Sequence, residues 1–263
     1  MLLSPRLAFL PVVAFLAASQ PASAQRGPRG DVSFGHIHLN SADPDKAIAF
    51  WTDLIGATDY SRGPVKGVIM AGALILFTKS SPSAPSTGGT VDRIDLHVPD
   101  LQPFVEKLAK TPYKSFQPVA GGPQLMIDGP DGVRIELNED NELYNPLEFQ
   151  YLHFSSPHAA EMQAWYGKIF NARAGGDEKL ATSRLPGGVL VFGQADAAAP
   201  TAGRAIDHIA FEIKGLEAFC AKLAAEGIKF DEPYHSVPDM KMSAAFITDP
   251  WGTRIELTEG LSH

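Results

Sequence analysis

Two hydrophobic periods share this chain. In Val32–Asn40, Ile37 and Leu39 fall on one face and His36 and His38 on the other. In Val91–Val98, Ile94, Leu96 and Val98 oppose Arg93, Asp95 and His97. In "HIAFEI" (208–213), Ile209, Phe211 and Ile213 oppose His208, Ala210 and Glu212. Alternation of this kind predicts strands with one apolar face. Between such stretches the period lengthens. Ala47, Ile48, Phe50, Trp51, Leu54 and Ile55 make a stripe at helical spacing, so a helix is predicted over Pro44–Ile55, with Asp43 as N-cap and Pro44 at its first position. A second helix is predicted over Leu101–Lys110.

The pattern occurs twice. Displaced by 115 residues, the chain matches itself: His38 meets His153, Phe50-Trp51 meets Trp165-Tyr166, Asp92 meets Asp207 and Phe104 meets Phe219. The closing phrases "GVRIEL" (132–137) and "GTRIEL" (252–257) stand 120 apart, so the second copy gains five residues around 228–242. A repeat of this length marks two modules, 31–143 and 147–262, joined by "NELYNP" (141–146). Each module divides again at a Ser/Pro/Gly-rich or Ala/Pro-rich loop, 80–89 and 195–203. Four units of strand, helix and further strands predict an α+β protein with mixed, largely antiparallel sheets.

The polar faces carry the candidate chemistry. A face turned to water usually bears Lys, Thr and Glu. These strands instead gather His, Asp and Glu, the lining expected of a polar cup that holds a metal ion. The aromatic pairs Phe50-Trp51 and Trp165-Tyr166 are read as packing, and His158 and His235 as surface or loop residues.

The stretches "HIHLNSADPDKAIAFW…LIGA", "DHIAFEIKGLEAFCAKLAAEGIKF" and "FITDPWGTRIEL" resemble the vicinal oxygen chelate superfamily of glyoxalases, bleomycin-resistance proteins and extradiol dioxygenases. The resemblance covers nearly all of 31–262 and implies tandem βαβββ units that form curved sheets around a polar cup. It also implies a divalent metal held by a His on the first strand of one unit, and by a His and a Glu on the first and last strands of its partner. The family's spacing carries these positions onto His36, Arg93 and Glu136 in the first module, and onto Tyr151, His208 and Glu256 in the second. Neither module is complete alone. If the first unit pairs with the fourth, the set becomes His36, His208 and Glu256, and Arg93, which only donates, would pair with Glu136. If each module closes on itself, the alternatives are His153 with His208 and Glu256, and His36 or His38 with His97 and Glu136. The expected ion is Fe, Mn, Ni, Co or Zn, and the expected activity is of lyase, isomerase or dioxygenase type on a small oxygen-bearing molecule. Glyoxalase I itself wants a further carboxylate near the end of the fourth strand, and "LILFTKS" (74–80) has none. The rival reading is a metal-free protein that sequesters a small molecule.

Composition narrows the setting. Net charge is −8, with no run of Lys or Arg, which argues against nucleic acid as partner. Residues 1–24 read as an export signal: Arg6, an apolar run from Leu7 to Ala18, and Ala22-Ser23-Ala24 as cleavage site. The expected location is periplasmic or secreted, with no membrane anchor after cleavage. The single cysteine, Cys220, cannot close an internal disulfide and is read as a core residue. A tandem can complete its site within one chain, so either a monomer or a homodimer suits the pattern.

Overall fold

The computed structural model describes residues 31–118, 122–176 and 180–261; the export-signal reading falls outside the described residues. The first quarter runs β1 (Val32–Ser41), α1 (Pro44–Ala49), β2 (Thr58–Arg62), β3 (Val65–Met70) and β4 (Ala73–Lys79). The second runs β5 (Val91–Val98), α2 (Gln102–Leu108), β6 (Lys114–Phe116), β7 (Gln124–Asp128) and β8 (Arg134–Glu139). The third runs β9 (Glu148–Ser156), α3 (Ala159–Phe170), β10 (Arg173–Gly176), β11 (Ala181–Leu185) and β12 (Gly188–Gln194). The last runs β13 (Ile206–Ile213), α4 (Leu216–Ala225), β14 (Phe230–Val237), β15 (Met242–Thr248) and β16 (Arg254–Glu259).

The sixteen strands form two mixed sheets of eight. One has the order β14-β15-β16-β13-β1-β4-β3-β2, the other β10-β11-β12-β9-β5-β8-β7-β6. The first and last quarters therefore share one sheet, and the two middle quarters share the other. Two pairs of joints hold this exchange. Phe34 N donates to Pro186 O and Phe149 N to Ala71 O, both at 2.8 Å, and the Phe34 and Phe149 rings stack at 5.4 Å. The two long loops bond across to each other as well, Ala199 N to Gly88 O at 2.8 Å and Ala205 N to Ala84 O at 3.0 Å.

The apolar strand faces and the helices enclose a continuous core across both sheets. Phe211 lies in it fully buried, stacked on Phe170 at 4.0 Å and edge-on to Phe34 at 6.2 Å. Burying one such ring contributes roughly 2–3 kcal/mol. Phe50, Trp51 and Tyr166 are buried in the same core, while Trp165 is partly buried against it. The first helix differs from its expectation. Asp43 Oδ1 accepts from Lys46 N and starts an α-helix, but Phe50–Ile55 widens into a π-turn closed by Gly56 N to Trp51 O at 3.0 Å. Four of these six residues are buried and bulky, and the wider turn gives them room. Among the described residues no helix is long and apolar enough to cross a membrane.

Cys220 lies on the buried side of α4, and burial pushes its thiol up to about 11. At pH 8 only about one thiol in a thousand would be thiolate. Iodoacetamide is therefore expected to leave the native protein unlabelled and to label it fully in urea. Labelling of the folded chain at the rate of a free thiol would place Cys220 at the surface.

Candidate metal centre

β1 and β13 lie antiparallel at the middle of their sheet, with His38 opposite His208. Each strand carries an irregularity. Phe34 pairs with Phe211 and Ile37 with Ile209, so Gly35 and His36 together face one residue of β13. Further along, Asp207 is the extra residue on β13, between the partners of His38 and Leu39. Such bulges re-aim the side chain beside them. A Cβ on Gly35 would stand 3.1 Å from Ala210 O, so the tight crossing suits glycine. The second sheet repeats the device, with Asp92 extra on β5 and Gln150 extra on β9. In every case the residue that follows is one onto which the resemblance carries a ligand position: His36, Arg93, Tyr151 or His208.

β16 runs parallel to β13 and places Glu256 opposite Ala210. His36 Nε2 lies 3.0 Å from Glu256 Oε2, and His208 Nε2 lies 3.4 Å from the same oxygen. Both are ion-pair distances, yet neither nitrogen is aligned for a hydrogen bond, and both are buried without a hydrogen-bond partner. Donor atoms about 2.1 Å from a common ion sit roughly 3.0 Å apart at right angles and roughly 3.4 Å apart at the tetrahedral angle. Both separations therefore suit donors that share a divalent ion, and one donor atom from each of the three residues lies within 4.8 Å of the others. Burial opposes charge on Glu256, but the His208 and His36 rings outweigh it and hold the carboxyl well below its usual range.

His208 is braced from behind. Its Nδ1 donates to Asp207 Oδ1 at 2.7 Å, which leaves Nε2 free to face Glu256. Asp207 also accepts from Gly203 N at 2.7 Å, Asn40 Nδ2 at 3.1 Å and Arg254 Nη1 at 3.0 Å. Burial pushes this carboxyl up, but His208 and the Gly203 and Asn40 donors outweigh it and hold it well below the usual range. Partners of this kind fix ring orientation and are worth about 10–100-fold in metal affinity. Asp207→Asn is expected to weaken metal binding by about that factor, read by chelator competition; unchanged affinity would remove Asp207 from the site.

A cavity of about 190 Å³ opens beside these donors. His36, His38, His235 and Glu256 supply its polar lining, and Leu76, Met240, Met242 and Phe246 are among its apolar walls. Two strand positions acquire new meaning here. Leu76 stands opposite His38 on β4, where no acid was found in sequence. His235 is exposed, as a surface residue is expected to be, but it stands on β14 rather than in a loop and also lines the cavity. The five residues gained by the second module fall around this wall.

The second cluster is different. Arg93 Nε donates to Glu136 Oε2 at 2.6 Å. His153 Nε2 lies 3.2 Å from Asp95 Oδ2, and His97 stands 3.6 Å from both Asp95 and Asp140. Asp95, Glu136 and His153 form a second group of possible donors, of which the sequence reading had passed over Asp95. The sets expected from modules closing on themselves are not brought together. His153 is held beside Asp95 and Glu136 in the sheet that lacks His208 and Glu256, and His38 sits with His36 and His208, away from His97 and Glu136. Swapped strand pairing is the physical reason. His158 is exposed beside Glu161.

Residues 149–257 match the model of the family described as Glyoxalase/Bleomycin resistance protein/Dioxygenase superfamily. In three dimensions the chain is similar to glyoxalase I from Zea mays, at 15% identity and a TM-score of 0.66, over 87% of this chain and 92% of that one. A glyoxalase I mutant from the same plant gives 15% identity and 0.67, over 87% and 94%. A candidate dioxygenase from Bacillus subtilis subsp. subtilis str. 168 gives 15% and 0.61, over 86% and 84%. At these identities the likeness is one of fold. No curated protein matches the chain by sequence.

Proposed function

We propose that this chain, whose residues 149–257 match the Glyoxalase/Bleomycin resistance protein/Dioxygenase superfamily, is a divalent-metal-dependent enzyme acting on a small oxygen-bearing molecule. Its ligands are His36, His208 and Glu256. The observation that carries this reading is the convergence of two buried imidazole nitrogens on one carboxylate oxygen, at 3.0 and 3.4 Å, with no hydrogen bond between them. A divalent ion bound there supplies a Lewis acid that stabilises an oxyanion or enolate on neighbouring substrate oxygens.

The chain does the rest. Asp207 sets the His208 ring. Leu76, Met240, Met242 and Phe246 keep water from one side of the cavity, which strengthens electrostatic interactions inside it. Among the described residues no Lys or Arg lines the cavity, so an anionic substituent held away from the ion would meet no side-chain counter-charge. This favours a compact, weakly charged molecule that presents its oxygens toward the histidines.

The test is elemental analysis of chelator-stripped protein dialysed against Mn, Fe(II), Co, Ni or Zn. One tightly held equivalent per chain is expected from at least one of them. Retention of none would overturn the reading and leave a metal-free sequestering protein. Export belongs to the same proposal: N-terminal sequencing of chain recovered from the periplasm or medium is expected to begin near Gln25, and an intact Met1 chain confined to the cytoplasm would oppose it.

A further inference from the structure

His38 is not needed for the three-donor set, yet it stands among those donors. One donor atom from each of His36, His38, His208 and Glu256 can be chosen so that all four lie within 4.8 Å of one another. The His38 ring stacks on His208 with centroids 4.4 Å apart and planes 28° apart. Its two nitrogens have different surroundings. Nε2 lies 2.7 Å from Thr78 Oγ1, while Nδ1 is buried and has no hydrogen-bond partner. With the threonine hydroxyl accepting, Nε2 carries the proton and Nδ1 presents a lone pair. A ligating imidazole is normally arranged this way, one nitrogen free and the other donating to an oxygen behind it. His208 shows the same division, with Asp207 in the part of Thr78.

The neighbouring strand supports the assignment. His38 on β1 pairs with Leu76 on β4, and Leu76 is apolar and lines the cavity. β4 therefore contributes no carboxylate at this point, and the imidazoles of β1 and β13 stand beside the single carboxylate of the group, Glu256 of β16.

We propose that His38 is a fourth protein ligand, so that the ion is held by three imidazoles and one carboxylate. This rests on the metal-site reading above. It makes the site richer in neutral donors than a two-His-one-carboxylate set and leaves fewer positions open to substrate.

The experiment is proton NMR of the full mature chain loaded with Co(II). Protons on imidazoles bound to the paramagnetic ion shift far outside the normal spectrum, and their exchangeable N–H signals count the histidine ligands directly. Three such signals are expected in the wild type and two in His38→Gln, with Co(II) bound more weakly by at least the roughly 10–100-fold that an outer partner is worth. Thr78→Val keeps the ring and removes only the Nε2 acceptor; it is expected to retain three signals, one of them exchanging faster with solvent. Two signals in the wild type, unaltered by His38→Gln, would overturn the fourth ligand while leaving the metal site intact. A wild type that binds no Co(II) would overturn both readings together.

Discussion

His208→Ala is expected to abolish tight metal binding while His97→Ala leaves it unchanged. His208 is buried, oriented by Asp207, and aimed by Nε2 at Glu256. Its removal takes away a donor and leaves Glu256 facing His36 alone. Since an outer partner of a metal ligand is already worth about 10–100-fold in affinity, loss of a ligand should exceed about 100-fold. His97 belongs to the other sheet, between Asp95 and Asp140, and its replacement touches none of the first cluster. Elemental analysis beside chelator competition reads both variants. Metal lost from His97→Ala and kept by His208→Ala would move the site to the second cluster.

The second large effect concerns stability. Arg93→Ala is expected to destabilise the protein by about 3 kcal/mol, because it strands a buried carboxylate. The Glu136 side chain is only 7% exposed, and Arg93 Nε is its close partner at 2.6 Å. Asp95 is close by, and burial, with Glu136 adding to it, already raises the Asp95 pKa. Breaking one side of such a pair costs more than removing both sides, so Arg93→Met combined with Glu136→Leu should lie near wild type. In a chain of this size each kcal/mol moves Tm by about 2–4 °C, so the single variant should melt about 6–12 °C lower. Metal content should not change in either. A single variant as stable as wild type would mean the ion pair contributes nothing to the fold.

Much of the architecture was legible in the residues. Val91–Val98 is a strand with the bounds its alternation predicts, and Asp43 caps the helix its position announces. Even the bulges leave a trace: Phe34 to Ile37, Phe149 to Leu152, Val91 to Ile94 and Ile206 to Ile209 all skip a step in the alternation of core residues. What the pattern could not carry was partnership. The choice between β13 and β5 as neighbour of β1 depends on contacts such as Phe34 N to Pro186 O, which no local period encodes. The place of His235 beside the cavity and of Asp95 beside His153 escaped the pattern for the same reason, since each depends on a strand from elsewhere in the sequence. The π-turn at Phe50–Ile55 escaped notice because an apolar stripe does not distinguish a wide turn from an ordinary one.

The exchange of quarters between sheets also has a consequence in time. His36 lies near the start of the described chain and Glu256 near its end, so the donors cannot meet until the last strand has been synthesised. The first quarter must wait with one edge of β1 unpaired while the two middle quarters, contiguous in sequence, are free to build their own sheet. Closing so long a loop is slow compared with local pairing. Capture of the proposed ion would therefore have to follow the arrival of β16, since a chain that stops short of it carries the histidines but lacks Glu256.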